Sequence, residues 1–474
     1  MDRRKFLKVL GGGSVLAAAA AAGCDHAVTE PVEGFVPGEV PTDQMTYRVD
    51  SHGQKVSLLG YGQMRLPVVN EKGVPQNDRE LDQDAINELT DYALAHGVNL
   101  FDTAPRYCKA RSERAIGTAL KRHRREEFLI STKLTNLSCD MWSFKASKQM
   151  YDESFERLQV DYIDYYMLHC MGLPGKDADG NEVSPLDMLQ RRFFDNGMLD
   201  FLVAERAKGR IRNLGFSYHG DVAVFDKLLS MHDTIHWDHV LIQHNYLNWN
   251  HASQVCEDAD SEYLYAELAK RDIPVMVMEP LLGGRLADLP DFAVKELKQR
   301  APHASIASWA FRFAAHHPRI LTVLSGMTYM EHLQDNIRTY SPLNPLSDSD
   351  LDMLAHIADQ YLRYPLVPCT SCQYCMPCPY GIDIPGTFIH YNKCVNEDLL
   401  LDESSEMSPS DERKAYRNAR KAFLATYNDK MQRERQADHC IACGKCLSEC
   451  PQRINIPEQM ARISDYMDKL KTIV

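Results

Sequence analysis

Residues 98–133, VNLFDTAPRYCKARSERAIGTALKRHRREEFLISTK, hold one full period of the pattern that decides the fold. A short apolar run, Val98–Phe101, ends in Asp102. A helical segment, Ser112–Arg122, follows, and a second apolar run, Phe128–Thr132, ends in Lys133. Short apolar runs bounded by turn signals read as buried strands, and apolar residues recurring every three to four positions read as helices packed on them. The alternation extends both ways. Upstream lie a hairpin over Thr46–Val56, a strand at Leu58–Gly62 and a helix at Leu81–His96, where Ala85, Ile86, Leu89, Tyr92 and Ala93 recur at helical spacing. Downstream the predicted strands are Ile163–Leu168, Arg212–Phe216, His239–Gln243, Pro274–Met278 and Leu321–Leu324. The helices between them are Ala146–Leu158, Leu199–Lys208, Val222–Met231, Ser261–Lys270 and Ser305–His316. Eight strand–helix units predict an α/β fold, a (β/α)8 TIM barrel of parallel strands. No Gly-x-Gly-x-x-Gly follows a strand, which disfavours a Rossmann sheet.

In such barrels chemistry sits at the C-terminal ends of the strands. There the second strand ends in Asp102 with Tyr107 five residues on, the third in Lys133 and the fourth in His169. This set resembles the aldo-keto reductase family over roughly Met45 to Tyr340. Ser112-Glu113 with Ile116-Gly117, Gly215-Phe216-Ser217, Gln243-x-Asn245-Tyr246 and Pro280-Leu281-Leu282-Gly283-Gly284 fit the same family. The resemblance implies a small carbonyl or alcohol substrate, with Tyr107 as acid/base and Asp102, Lys133 and His169 completing a tetrad. Hydride reduction of a carbonyl needs a proton for the developing alkoxide, and a phenol with pKa near ~10 is a poor donor at neutral pH. An adjacent Lys133 ammonium is expected to lower that pKa, with Asp102 holding the lysine and His169 orienting the carbonyl. Singly, each residue has a bland reading as packing or an ordinary salt bridge; the four residues together carry the resemblance.

By the same resemblance Ser217 and Gln243 hold a nicotinamide carboxamide and Arg285 touches the pyrophosphate, although Tyr218 stands where an Asn is usual. Gly326 and Asn336, in the stretch that also holds Met327 and His332, align with the adenosine-phosphate loop. NADP-binding members place Lys or Arg there. Without an ammonium or guanidinium to pair a 2′-phosphate, strong NADP selectivity is not expected. NAD(H), NADP(H) and weak binding of either stay open.

Eight of the fourteen cysteines fall in two runs after the barrel. These are Cys369-x-x-Cys372-x-x-Cys375-x-x-Cys378-Pro379 and Cys440-x-x-Cys443-x-x-Cys446-x-x-x-Cys450-Pro451. The second has the spacing of bacterial ferredoxins, in which the fourth Cys serves the other cluster. Two [4Fe-4S] clusters are therefore expected. By that pattern Cys369, Cys372, Cys375 and Cys450 hold one, and Cys440, Cys443, Cys446 and Cys378 the other. The first run departs from the pattern by one residue before its Cys-Pro. Zinc is the alternative, since Cys-x-x-Cys pairs also build tetrahedral sites; disulfides at such spacing are strained. A charged helix over 410–433 between the runs resembles a helical ferredoxin type with a long insert.

The N-terminus reads as an address. Arg3-Arg4-Lys5-Phe6-Leu7-Lys8 precedes a Gly/Ala-rich apolar stretch from Val9 to Gly23, too short for a comfortable span. It resembles a twin-arginine signal, which exports folded proteins. Iron–sulfur clusters are inserted in a reducing cytoplasm, so the two ends of the chain support one another, and a periplasmic location is expected. Ala21-Ala22-Gly23-Cys24 resembles a lipoprotein box with Ala where Leu is preferred; lipidation at Cys24 and simple cleavage both stay open. A lipid at Cys24 is the one membrane link foreseen.

The expected domains are a signal over 1–24, a Pro/Gly/acid-rich linker over 25–45, the barrel over 46–340 and the helical iron–sulfur domain over 341–474. An apolar fraction of 44% supplies a large core, and a net charge of −13 argues against nucleic acid as partner. The sequence predicts an exported oxidoreductase whose electrons pass through two clusters, with a redox protein as a further partner. The rival is an electron-transfer or docking module whose barrel no longer turns over nicotinamide nucleotides.

Overall fold

Eight parallel strands close a barrel in chain order, with the last pairing the first. They are Leu59–Gly62, Leu100–Asp102, Leu129–Leu134, Ile163–Met171, Ile211–Tyr218, His239–Gln243, Val275–Met278 and Ile320–Ser325. The (β/α)8 TIM barrel is thus the observed fold, in a computed structural model that describes residues 39–70, 79–255, 259–400 and 409–472. The expected signal, Cys24 and the linker up to residue 38 lie outside the described residues. From Val40 onward the chain forms one compact unit, barrel and tail together.

Period-two alternation explains how the polar strand ends reach the axis. Leu100, Leu129, Tyr165 and Met167 fill the barrel interior with Leu241, Met276 and Leu321. Their neighbours Phe101, Ile130, Tyr166 and Leu168 face outward into the layer shared with the helices. Successive side chains alternate faces, so Asp102, Lys133 and His169 keep the inward parity of Leu100, Leu129 and Met167 at the upper rim. The antiparallel hairpin Tyr47–Val49/Lys55–Ser57 puts Val56 into the interior cluster at the opposite end.

The helices begin and pack for local reasons. Ser143 caps Phe144–Leu158 by accepting from Ala146 N at 3.2 Å, and Asp82 caps Gln83–Ala95 in the same way. Helix Ser112–Leu120 lies against the backbone of Arg157 and Leu158 at Gly117, where any Cβ would collide. Its Glu113 is buried and takes Thr132 Oγ1 at 2.6 Å and Arg157 Nε at 2.7 Å, tying two helices to a strand.

The tail is mostly helical, as expected. Helix Asp348–Tyr361, started by a capping box at Ser347 and Asp350, packs Leu354, Ile357 and Tyr361 on Trp309, Leu282 and Leu286 of the barrel layer. Beyond it a separate core gathers Phe388 of helix Ile384–Asn396, Phe423 and Tyr427, and Met460, Ile463 and Met467 of helix Ile456–Thr472. The charged helix foreseen over 410–433 is Pro409–Ala419, continued by a wider turn Arg420–Ala425 and by Thr426–Lys430. Among the described residues no helix is long and apolar enough to cross a membrane.

Candidate active site

Three strand ends, those of the second, third and fourth strands, bring Asp102, Tyr107, Lys133 and His169 together. Lys133 Nζ donates to Asp102 Oδ1 at 2.8 Å, to Asp102 Oδ2 at 2.7 Å and to the Thr103 carbonyl at 2.7 Å, with the lysine side chain only 1% exposed. Ser131 Oγ donates to the same carboxylate at 2.7 Å. The Tyr107 ring lies over this pair, its centroid 4.8 Å from Lys133 Nζ, and meets the His169 ring edge-on at 6.1 Å.

One expectation is corrected. Lys133 was to lower the Tyr107 phenol, but burial, followed by Tyr374 and Asp102, raises it well above the usual value. The reason is geometric: an ammonium has three donors, and Asp102 and Thr103 take all of them. Burial, then Lys133 and His219, hold His169 well below the usual imidazole value, so its ring is neutral. His169 Nδ1 sits 2.7 Å from Thr135 Oγ1, and buried Arg192 donates to the His169 carbonyl at 2.6 Å. Arg192 belongs to the long segment after the fourth strand, which also forms the short hairpin Gly175–Lys176/Glu182–Val183.

The Tyr107 turn is strained. Cys108, Lys109 and Ala110 are three consecutive non-glycine residues with φ of 51°, 56° and 63°. Left-handed backbone costs such residues on the order of 1–2 kcal/mol each, so its surroundings must over-determine it. Here Arg111 Nε donates to the Cys108 carbonyl at 3.0 Å, and Cys108 Sγ lies 3.4 Å from the Met64 carbonyl.

Of the residues expected to bind a nucleotide, Gln243 and Arg285 face the tail. Gln243 Oε1 accepts from Gln452 Nε2 at 3.3 Å. Ser217 Oγ accepts the Cys170 N–H at 2.9 Å. Gly283, with φ of 69°, lies directly under the Thr370 carbonyl, where a Cβ would overlap it. Arg65 donates to that same carbonyl. Arg285 is turned onto Tyr361, 5.6 Å from its ring centre, and Asn336 Nδ2 donates to Ser325 Oγ at 2.9 Å inside the fold. Gly326 is exposed and lies against the Arg65 side chain. A nicotinamide reaching Gln243 would have to displace Gln452, and one lying along Gly283 would have to displace Thr370.

The eight tail cysteines gather beside this roof in two mutually repelling sets. Burial, with Cys369 and Cys450 adding repulsion, pushes the Cys372 thiol up to about 12. Burial, with Cys440, Cys443 and Cys378 adding repulsion, pushes Cys446 up to about 11. Cys450 thus lies near the first run and Cys378 near the second, while Cys375 is repelled by Cys372, Cys369 and Cys450 and also by Cys446. The sulfurs also receive peptide N–H groups: Cys369 from Ser371 at 3.4 Å, and Cys450 from Ile454, Gln452 and Arg453. Ser371, Gln373 and Ala442, with φ of 56°, 67° and 56°, curl the loops around the thiols. Cys375, Cys378, Cys440, Cys443 and Cys446 line a cavity of about 370 Å³. This donor set fits iron–sulfur clusters, whose thiolates bind separate irons. Among the described residues no three His, Cys, Asp or Glu side chains converge as ligands of one ion would.

Sequence reading missed Glu279, Tyr374, Arg106 and Gln452 at this mouth. Burial raises the Glu279 carboxyl despite Arg65 nearby. Its position directly after the strand Val275–Met278 was the available signal. Tyr374 and Gln452 carried none, because they reach the mouth from the tail.

Residues 59–359 match the aldo/keto reductase family. The chain is 25% identical over 311 residues to L-galactose dehydrogenase of Arabidopsis thaliana, covering 62% of this chain and 87% of that protein. It is 35% identical over 117 residues to NADH-specific methylglyoxal reductase of Escherichia coli, covering 20% of this chain and 33% of that one. An aldo-keto reductase of Klebsiella pneumoniae in complex with NADPH superposes with a TM-score of 0.49 at 19% identity, over 67% of this chain and 96% of that one. With the barrel, the strand-end constellation and the family match over most of its length in hand, this chain belongs to the aldo/keto reductase family and is an oxidoreductase.

Proposed function

We propose that this protein interconverts a carbonyl and an alcohol at Tyr107, with electrons passing through two [4Fe-4S] clusters held by its tail, after export by the twin-arginine route. The observation that supports the reading is that Tyr107 and Cys372, the proposed proton donor and a proposed cluster ligand, line one cavity. In the reducing direction the phenol stays protonated and donates to the developing alkoxide. Neutral His169, with Nδ1 accepting from Thr135, donates its Nε2–H to the carbonyl oxygen, and Lys133, neutralised by Asp102, holds the site's shape. A cluster, when bound, supplies or accepts one electron at a time. Family membership supports NAD(H) or NADP(H) as hydride carrier.

Anaerobically purified protein, assayed for iron, sulfide, bound nucleotide and turnover, tests the proposal. Tyr107→Phe is expected to abolish turnover while iron content survives; full retained activity overturns the catalytic reading, and absence of iron and sulfide overturns the cluster reading.

A second reading, that the barrel no longer turns over nicotinamide nucleotides, is favoured by the Gln452–Gln243 contact and by Thr370 over Gly283. Saturable micromolar binding of NADH or NADPH in a fluorescence titration argues against it. Turnover driven by a one-electron donor without nucleotide supports it.

A further inference from the structure

A cavity of about 810 Å³ opens between the barrel mouth and the tail, and Tyr107, Cys372 and Tyr374 form part of its wall. Its charge is opposite to that of the whole chain. Among the described residues seven basic side chains and a single acidic one, Asp383, line it, although the protein carries a net charge of −13. Arg65 and Arg79 flank the first barrel loop, Arg106, Lys109 and Arg111 come from the strained second loop, and Lys430 and Arg435 come from the tail. Three segments far apart in sequence converge on one concavity. A solvated basic face would need no such convergence.

Part of this charge is compensated. Arg111 pairs with Glu80 at 2.8 Å, Arg106 with Glu449 at 3.4 Å and Arg435 with Asp383 at 4.0 Å. Glu80 is 79% exposed and points to solvent, so its screening is weak. Lys430 is exposed at the end of its helix, and neither it nor Arg65 makes an ion pair among the described residues, although the buried Glu279 carboxyl lies near Arg65. Clefts lined by one sign of charge focus field and raise the local concentration of the opposite ion. Guanidinium groups, moreover, match the two-oxygen edge of a carboxylate or phosphate.

We infer that this cleft is the substrate site and takes an anionic substrate, a small carbonyl or alcohol bearing a carboxylate or phosphate. The anionic group lies among Arg65, Arg79 and Lys430 while the reacting carbon faces Tyr107. The inference rests on Tyr107 being the acid/base. It goes beyond that reading because Lys430 and Arg435 come from the tail: the tail both covers the nucleotide side of the mouth and builds the wall that selects substrate.

Calorimetric binding to the full holoprotein tests it with matched pairs: pyruvate against methylglyoxal, galacturonate against galactose, and glucose 6-phosphate against glucose. Tyr107→Phe holoprotein is titrated in parallel, so that binding is read apart from turnover. At least one anionic member is expected to bind tenfold or more tighter than its neutral partner at 50 mM salt. The preference should shrink several-fold at 500 mM salt, and Lys430→Glu should reduce it at least fivefold, with Lys430→Met in between. The carboxylate and phosphate pairs separate the two anion sources. Equal binding within all pairs, no binding of any member, or a preference indifferent to Lys430→Glu overturns the inference. So does tight binding of poly-glutamate alone, which would assign the cleft to an acidic protein. Selective anion binding without turnover would instead count against Tyr107 and leave the anion cleft standing; turnover of neutral substrates alone would do the reverse.

Discussion

Gln452, from the loop just after the last cysteine, donates a hydrogen bond to Gln243 at the end of the sixth barrel strand, 209 residues away in sequence. That contact joins the two halves of the protein at the place where family resemblance puts a nicotinamide carboxamide. A neutral hydrogen bond contributes about 1 kcal/mol net. If the tail must lift for a nucleotide to enter, Gln452→Ala should tighten NADH binding by up to about fivefold, since 1.4 kcal/mol is tenfold. Fluorescence titration of both proteins measures this, and unchanged affinity would mean that Gln452 does not gate the site.

Lys133 and Asp102 form a pair buried almost completely. Removing one partner of such a pair leaves a charge without compensation and costs about 3–5 kcal/mol. Asp102→Ala should therefore lower the urea midpoint substantially. Replacing both, Asp102→Leu with Lys133→Met, should recover much of that stability while turnover stays absent. A double variant no more stable than the single one would show that the pair is more than a compensated charge.

Acid should destabilise the barrel through its interior histidines. His239 is fully buried, both ring nitrogens lack a hydrogen-bond partner, and burial lowers its pKa to about 4. The unfolded chain takes up this proton near pH ~6.5 and the native one near 4, so native His239 binds fewer protons between those values. Its contribution is complete above pH ~6.5 and is lost as pH falls, at about 1.4 kcal/mol per unit. His239→Leu should flatten the stability-versus-pH curve between pH 6.5 and 4.5, measured by urea unfolding of variant and parent at each pH. Parallel curves would contradict the assignment.

Cys378 repels Cys446 although it belongs to the first cysteine run. If the clusters are crossed, Cys378→Ser should perturb the cluster of Cys440, Cys443 and Cys446 and spare the one of Cys369, Cys372 and Cys375. Iron and sulfide would fall towards half and one of two EPR signals would change. Loss of the Cys369-side signal would point to uncrossed ligation.

The elements that periodicity named were the ones whose stability is local. The His239–Gln243 strand and the Ser261–Lys270 helix occupy the predicted residues, and other boundaries shift by a few positions. The strand ends Asp102, Lys133 and His169 were legible as well, and the structure turns them inward in step with Leu100, Leu129 and Met167, because parity is a property of the chain itself. The ionisation of Tyr107 was misread, since it depends on how the three Lys133 donors are shared, and Thr103 enters that count only through its carbonyl.

Sequence alone determined the barrel, the inward strand ends and the spacing of two cysteine runs, all consequences of patterns that repeat within a few residues. Only the tertiary structure decided that the tail lies across the mouth. It sets Thr370 on Gly283, Tyr374 near Tyr107 and Gln452 on Gln243, and it closes a basic cleft with Lys430 and Arg435. Those contacts join residues tens to hundreds of positions apart. They follow from how two apolar cores pack against each other, which no local pattern encodes.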